Sequence, residues 1–171
     1  MNVVIETDRL LLRTFTERDA PLLYELNLDP EVARYTHDPI TDLAHAKKVL
    51  HEVILPQYTF YNHGRWAVLL KSSLEFIGWS GLKCRPERNE IDLGYRFMKK
   101  FWGQGYATEA AFACVQYGFD TLDVKQIIGR ALPGNLASIS VLEKCGMRCL
   151  GEEYVDGYLH KTYQATNPAI Q

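Results

Sequence analysis

The chain has 171 residues, of which 47% are hydrophobic and 23% charged, with a formal net charge of -2. That length predicts a single domain spanning 1–171, with a core large enough to need neither metal nor disulfide. The near-neutral charge argues against direct nucleic-acid binding, which rests on Lys and Arg neutralising phosphates, and no apolar run is long enough to span a bilayer.

Residues 9 to 14, Arg-Leu-Leu-Leu-Arg-Thr, read as a short buried strand, and Thr16-Glu-Arg-Asp19 reads as a capping box opening the first helix. Leu22, Leu23 and Leu26 give that helix an apolar face, and Asp29-Pro30 ends it because the residue before proline avoids helical geometry. Residues 31 to 40 are expected to be a loop. Leu43, Ala46, Val49, Leu50, Val53 and Ile54 recur at helical spacing and predict a second helix that stops before Pro56.

Strands follow at Trp66 to Leu70, Phe76 to Leu82 and Glu90 to Met98, with Arg85 to Asn89 as the turn before the third. In that third strand Glu90, Asp92 and Arg96 alternate with Ile91, Leu93, Tyr95 and Phe97, so polar and apolar sets occupy opposite faces. Gly94 within it invites a bulge or is an ordinary packing glycine.

Phe101-Trp-Gly-Gln-Gly-Tyr-Ala-Thr-Glu-Ala110 then reads as a glycine-relaxed loop running into a helix that starts near Ala107. Glycines that accept positive φ, followed by unpaired N–H groups at a helix start, make an anion-binding device. The helix carries a stripe of small residues, Ala107, Ala110, Ala111, Cys114 and Gly118, suited to close packing on a sheet. Gln126 to Leu132 is the next strand. Pro133-Gly134 turns the chain, Asn135 caps a helix ending at Cys145-Gly146, and Tyr154 to Tyr163 supplies closing strands around Asp156-Gly157.

The pattern excludes two common phosphate ligands. A dinucleotide loop needs a third glycine where Thr108 stands, and a P-loop needs Lys-Ser or Lys-Thr after its glycine. The four cysteines, Cys84, Cys114, Cys145 and Cys149, form no C-x-x-C pair and lack zinc-type histidine spacing, which predicts reduced thiols and no metal site. No basic stretch followed by an apolar core opens the sequence, so the expected location is cytoplasmic. Monomer and homodimer both stay open.

Glu6-Thr-Asp-Arg-Leu-Leu-Leu-Arg13, Leu93-Gly-Tyr95 with Trp102-Gly-Gln-Gly-Tyr-Ala-Thr-Glu-Ala110, and Gly134-Asn-Leu-Ala-Ser138 with Val141-Leu-Glu-Lys-Cys-Gly-Met147 occur in this order. Together they resemble the GNAT superfamily of N-acetyltransferases, and within it the RimJ/RimL-type branch. Trp102 departs from the superfamily's usual Gln or Arg, and Met147 from its usual Phe; neither change removes a backbone donor. The resemblance implies an α/β (α+β) fold with a mixed, mostly antiparallel sheet splayed at its middle. It also implies acetyl-CoA as co-substrate, with its pyrophosphate on the main chain of Gln104, Gly105, Tyr106, Ala107 and Thr108. Its pantetheine arm would run along Phe97, Met98 and Lys99, with Asn135 contributing its amide.

The implied reaction is direct attack of a primary amine, from a protein N-terminus or a small molecule, on the acetyl thioester. An alkyl ammonium has a pKa of about 10, so a proton acceptor is needed. Asp92 and Glu90 are candidates, with pairing to Arg96 as the alternative reading of both; His160 is another candidate, and reads equally as an ordinary strand histidine. By resemblance Ser138 bonds or protonates the leaving thiolate, and Tyr35 and His37 line the acceptor pocket or sit in a plain surface loop. Cys145 reads as a helix end packed in the core in preference to a nucleophile. Two rivals carry the same loop: a non-catalytic acyl-CoA-binding domain and a nucleotide-binding protein.

Overall fold

The computed structural model describes residues 1–170. Eight strands form one sheet in the order β1-β2-β3-β4-β5-β6-β8-β7. Its strands are β1 (Val3–Glu6), β2 (Leu10–Thr14), β3 (Arg65–Leu70), β4 (Phe76–Arg85), β5 (Glu90–Phe97), β6 (Gln126–Ala131), β7 (Arg148–Val155) and β8 (Tyr158–Thr166). Every neighbouring pair is antiparallel except β5 and β6, which are parallel and joined through α5 (Tyr106–Asp120). A parallel pair needs such a crossover because a hairpin cannot reverse the chain twice.

The sheet buries both faces. On β3, Trp66 and Val68 join the core beneath α5 and α6 (Leu136–Lys144), while Ala67 and Leu69 join the core beneath α1 (Ala20–Leu26) and α3 (Leu43–Val49). Period-two alternation thus makes an uninterrupted apolar run, as expected of a strand covered on both sides. The small-residue stripe of α5 allows close approach: a Cβ added to Gly118 would lie 2.8 Å from Ile127 and 2.9 Å from Leu82.

Some sequence expectations need correction. Residues 31–40 are not wholly loop, since Pro30–Ala33 forms a short helix, α2, with Asp29 accepting from the Glu31 N–H at 2.9 Å and Pro30 in its first turn. The second helix does not stop before Pro56. A π turn at Leu50–Ile54, closed by the Leu55 N–H on the Leu50 carbonyl, leads into α4 (Leu55–Tyr61), so Pro56 falls in a first turn where its missing N–H costs nothing.

Strand β1 escapes the sequence reading because four half-exposed residues carry no periodic signal. β7 begins at Arg148, well before Tyr154, because it is an edge strand exposed along most of its length. β4 runs on to Arg85 through the polar Lys83.

Gly94 makes no bulge. The β4–β5 register continues unbroken through Gly81↔Gly94, and the glycine instead accommodates the Trp79 ring, which would lie 3.1 Å from an added Cβ. The sheet opens on the other side of β5, where the only pairs with β6 are Asp92↔Ile128 and Leu93↔Gly129. Beyond Leu93 the strands separate, giving the splayed, mostly antiparallel sheet that the family resemblance implies.

Gly81 is a position where this packing admits no side chain, because a Cβ there would sit 2.1 Å from the Gly64 carbonyl oxygen and 2.6 Å from the Arg65 Cα. Backbone atoms cannot swing aside, so Gly81→Ala should destabilise the fold by roughly 2–3 kcal/mol. Denaturant unfolding of the variant beside the parent checks this.

Candidate active site

A cleft of about 710 Å³ opens where β5 and β6 part. Its walls are the glycine loop and the first turn of α5, Phe97, Asn135 and Ser138 of the β6–α6 connection, and Tyr35, Trp79, Arg85, Asp92, Arg130 and His160.

The loop has the geometry expected of an anion cradle. Gly103 and Gly105 adopt φ of +75° and +83°, and Gly105 precedes α5 without any side-chain cap. The helix's first internal bond runs from the Glu109 N–H to the Gly105 carbonyl at 3.0 Å. The N–H groups of Tyr106, Ala107 and Thr108 therefore point out of the helix end with the positive end of its dipole behind them. The Gln104 side chain turns away, donating to the Lys100 carbonyl at 3.2 Å.

The free edge of β5 is set by its ladder. Met98 N–H donates to the Ile77 carbonyl at 2.9 Å, so alternate residues Tyr95 and Phe97 turn their backbone groups away from β4 and into the gap. The Phe97 carbonyl is taken by the Trp102 indole N–H at 2.8 Å, and the Met98 carbonyl by the Phe101 N–H at 3.0 Å. Of the expected pantetheine-binding residues, Met98 has both main-chain groups engaged, the Lys99 ammonium pairs with Glu31 at 2.9 Å, and neither lines the cleft. Tyr95, which the sequence reading treated only as apolar, lines the cleft beside Phe97.

At the β6–α6 turn the Asn135 Oδ1 accepts from the Ser138 N–H at 3.2 Å, which leaves the amide hydrogens of Asn135 on the cleft side of the cap. The Tyr95 hydroxyl lies 2.9 Å from the Ser138 carbonyl and 2.8 Å from Ser138 Oγ. Burial pushes the Tyr95 phenol well above its ordinary range, so it stays protonated. Buried Cys145 is likewise pushed up to about 11 by desolvation, which leaves it a thiol rather than a nucleophile.

The two strand carboxylates separate sharply. Glu90 is gripped by Arg130 at 2.7 and 2.9 Å and touched by Arg88 at 3.3 Å, and the Arg130 bond holds its carboxyl below the usual range. Arg130 also binds Glu153 at 3.0 Å, and Arg96 turns instead to Asn27 and Asp38. Glu90, a candidate base in the sequence, is thus engaged in ion pairs and is not among the residues lining the cleft. Among the described residues the Asp92 carboxylate has no hydrogen-bond or salt-bridge partner. Desolvation raises its carboxyl to about 6 against the opposing pull of Arg130, Arg85, Arg65 and Lys83.

His160 lines the same cleft, with Nδ1 2.9 Å from the Tyr158 carbonyl. A carbonyl only accepts, so Nδ1 carries the proton and Nε2 keeps a free lone pair. Desolvation lowers the ring's pKa further below neutrality. Tyr35 is a wall of the cleft; His37 is not, and stacks on Tyr158 with ring centroids 3.4 Å apart.

Comparison with known proteins places this geometry. Residues 9–148 match the family model described as an acetyltransferase (GNAT) domain. The chain is 35% identical to the uncharacterized protein YkkB of Bacillus subtilis, covering 82% of this chain and 83% of that one. It is 31% identical to the uncharacterized N-acetyltransferase p20 of Bacillus licheniformis, covering 80% and 77%. The solved structure of RimL, a ribosomal L7/L12 α-N-protein acetyltransferase in complex with coenzyme A, shares the fold at a TM-score of 0.84 and 20% identity, over 98% of this chain and 99% of that one. The chain belongs to the GNAT acetyltransferase family and is an acetyl-CoA-dependent N-acetyltransferase. Among the described residues no helix is long and apolar enough to cross a membrane.

The raised carboxyl of Asp92 has a measurable cost to the fold. Its proton is held more tightly in the folded chain than in the unfolded one, so the contribution to stability is complete below about pH 4 and is lost as pH rises through about 6. Asp92→Asn, which carries no charge to desolvate, should be more stable than the parent at pH 8 by on the order of 2 kcal/mol, and should gain nothing at pH 4. Thermal melts of both proteins across that range measure the difference.

Proposed function

We infer that the enzyme acetylates a primary amine by direct attack on the thioester, with Asp92 as the proton acceptor. The observation that carries this is the unpaired Asp92 carboxylate, raised to about 6, in the same cleft as the anion cradle. A base of that strength is mostly ionised at neutral pH yet strong enough to take a proton as the nitrogen attacks. Glu90, clamped below the usual range by Arg130, lacks both properties. His160, neutral and offering Nε2, is suited to hold the incoming amine beside Asp92.

In this reading the pyrophosphate sits on the N–H groups of Gly105 to Thr108. The pantetheine arm fills the gap between β5 and β6, bonded by the free Phe97 N–H, the Tyr95 carbonyl and the Asn135 amide. The Tyr95 N–H, turned into the gap, polarises the thioester carbonyl. As the C–N bond forms and the C–S bond breaks, the amine proton passes to Asp92 and the sulfur leaves as thiolate, met by the Ser138 O–H, while the Tyr95 hydroxyl donates to the Ser138 carbonyl. Tyr35, in the cleft wall, would contact the acceptor, whereas His37, stacked on Tyr158, would not. The RimL fold supports a peptide N-terminus as the first acceptor to test, with small amines second.

Asp92→Asn should lower kcat about a hundredfold or more while acetyl-CoA binding is kept, and should abolish the acidic limb of the pH–rate profile near 6. An unaltered profile would move the assignment to His160. Gly105→Pro replaces a residue at φ +83° with one fixed near -65° and deletes an N–H, so the acetyl-CoA KM should rise at least tenfold in folded protein. Thiol release from acetyl-CoA over a panel of peptides and small amines identifies the acceptor; binding without turnover across the panel would overturn the catalytic reading of Asp92.

A further inference from the structure

The strongest tertiary tie to the glycine loop comes from the far end of the sequence. Glu109, in the first turn of α5, accepts from Thr7 Oγ1 at 2.6 Å, from the Arg9 main-chain N–H at 3.1 Å and from Arg9 Nε at 2.7 Å. The Arg9 guanidinium continues over the loop: Nη1 donates to the Gln104 carbonyl at 3.0 Å, and Cζ stands 4.3 Å from the centre of the Tyr106 ring. A Cβ added to Gly105 would meet Arg9 Nη2 at 3.4 Å. The connection between β1 and β2 therefore grips the loop on both sides of Gly105, across about a hundred residues of sequence.

This grip is poorly suited to stabilising the fold as a whole. The Arg9 side chain is 45% exposed, and a half-exposed ion pair is screened by solvent and contributes little. It is well suited to fixing a peptide plane. A guanidinium bridging a carboxylate and a carbonyl has fixed fork geometry, and here the carbonyl belongs to the peptide unit that leads into Gly105. Charge adds a second requirement. Glu109 puts an anionic carboxylate one turn from a site read as binding a pyrophosphate, and Arg9 together with Thr7 neutralises it and turns it away.

We propose that Arg9, with Thr7 and Glu109, is a positioning group for the acetyl donor: it holds the Gln104–Tyr106 backbone in the anion-binding conformation and cancels the Glu109 charge beside the pyrophosphate. It acts through the loop and touches no reacting atom. The proposal rests on the pyrophosphate reading of that loop.

Donors with and without the pyrophosphate separate the two. With acetyl-CoA, Arg9→Ala should raise KM about tenfold and leave kcat at saturating donor within about twofold, the loss expected for a charge-assisted bond acting in binding. With acetyl-pantetheine, which has no pyrophosphate, the variant and the parent should give the same kcat/KM. Arg9→Lys keeps the charge but cannot span the carboxylate and the carbonyl together, so it should recover only part of the acetyl-CoA KM. Equal losses on both donors, an unchanged KM for acetyl-CoA, or full recovery by lysine would each overturn the proposal. If the parent itself uses acetyl-pantetheine as well as acetyl-CoA, it is the pyrophosphate reading that fails. Arg9→Ala should melt within a few degrees of the parent, and if it does not, Thr7→Ser, which keeps both the 2.6 Å bond to Glu109 and the bond from the Leu10 N–H, and Thr7→Ala, which removes both while leaving Arg9 in place, give the same donor comparison.

Discussion

The molecule depends on a ladder that stops early. β5 and β6 share two residue pairs and then part, although each continues. Two strands that separate in the middle of a sheet leave unpaired main-chain groups on their inner edges, an arrangement that costs free energy unless something else bonds them. The glycine loop and the N-terminus of α5 follow directly from the end of β5, and the Asn135 cap follows from the end of β6. One interruption in hydrogen bonding thus brings together a free strand edge, a helix start rich in donors and a capped turn.

The two faces of the sheet do different work. Beneath α5 and α6 the side chains are small or apolar, and close packing fixes the helices that frame the donor end. On the opposite face Lys83, Arg85, Asp92, Arg96 and Arg130 project from neighbouring strands. Most of those charges are paired: Arg130 with Glu90 and Glu153, Arg85 with Asp156, Arg96 with Asp38. Asp92 is the carboxylate left over among them. A fold optimised for stability alone would have paired it, and an unpaired, partly buried carboxylate in a cleft wall is a pattern expected of sites that trade stability for chemistry.

Much of this was legible in the sequence where the signal is local. The glycine loop, the small-residue helix, the Asn135 cap and the alternation that puts Asp92 on a polar face are short-range features, and strand and helix periodicity record them faithfully. The misses share a physical cause. β1 and most of β7 are exposed edges without a buried face to impose alternation, and Pro56 was read as a terminator because a π turn leaves no mark on periodicity. Glu90 and Asp92 look equivalent two residues apart; only the third dimension shows Arg130 closing on one and leaving the other. The grip of Thr7 and Arg9 on Glu109 was equally invisible, because nothing in sequence joins residues a hundred positions apart.

The Trp102 indole on the Phe97 carbonyl has a consequence for solubility. An opened sheet presents inner edges to which a strand from another chain could add, the usual route to aggregation. Here the exposed stretch of β5 is bounded by pairing with β6 at Leu93 and by the tryptophan at Phe97. What remains free is the Tyr95 amide pair and one N–H of Phe97, too short a run to template a foreign strand. The side chain that closes the edge therefore lets the sheet stay open without becoming adhesive.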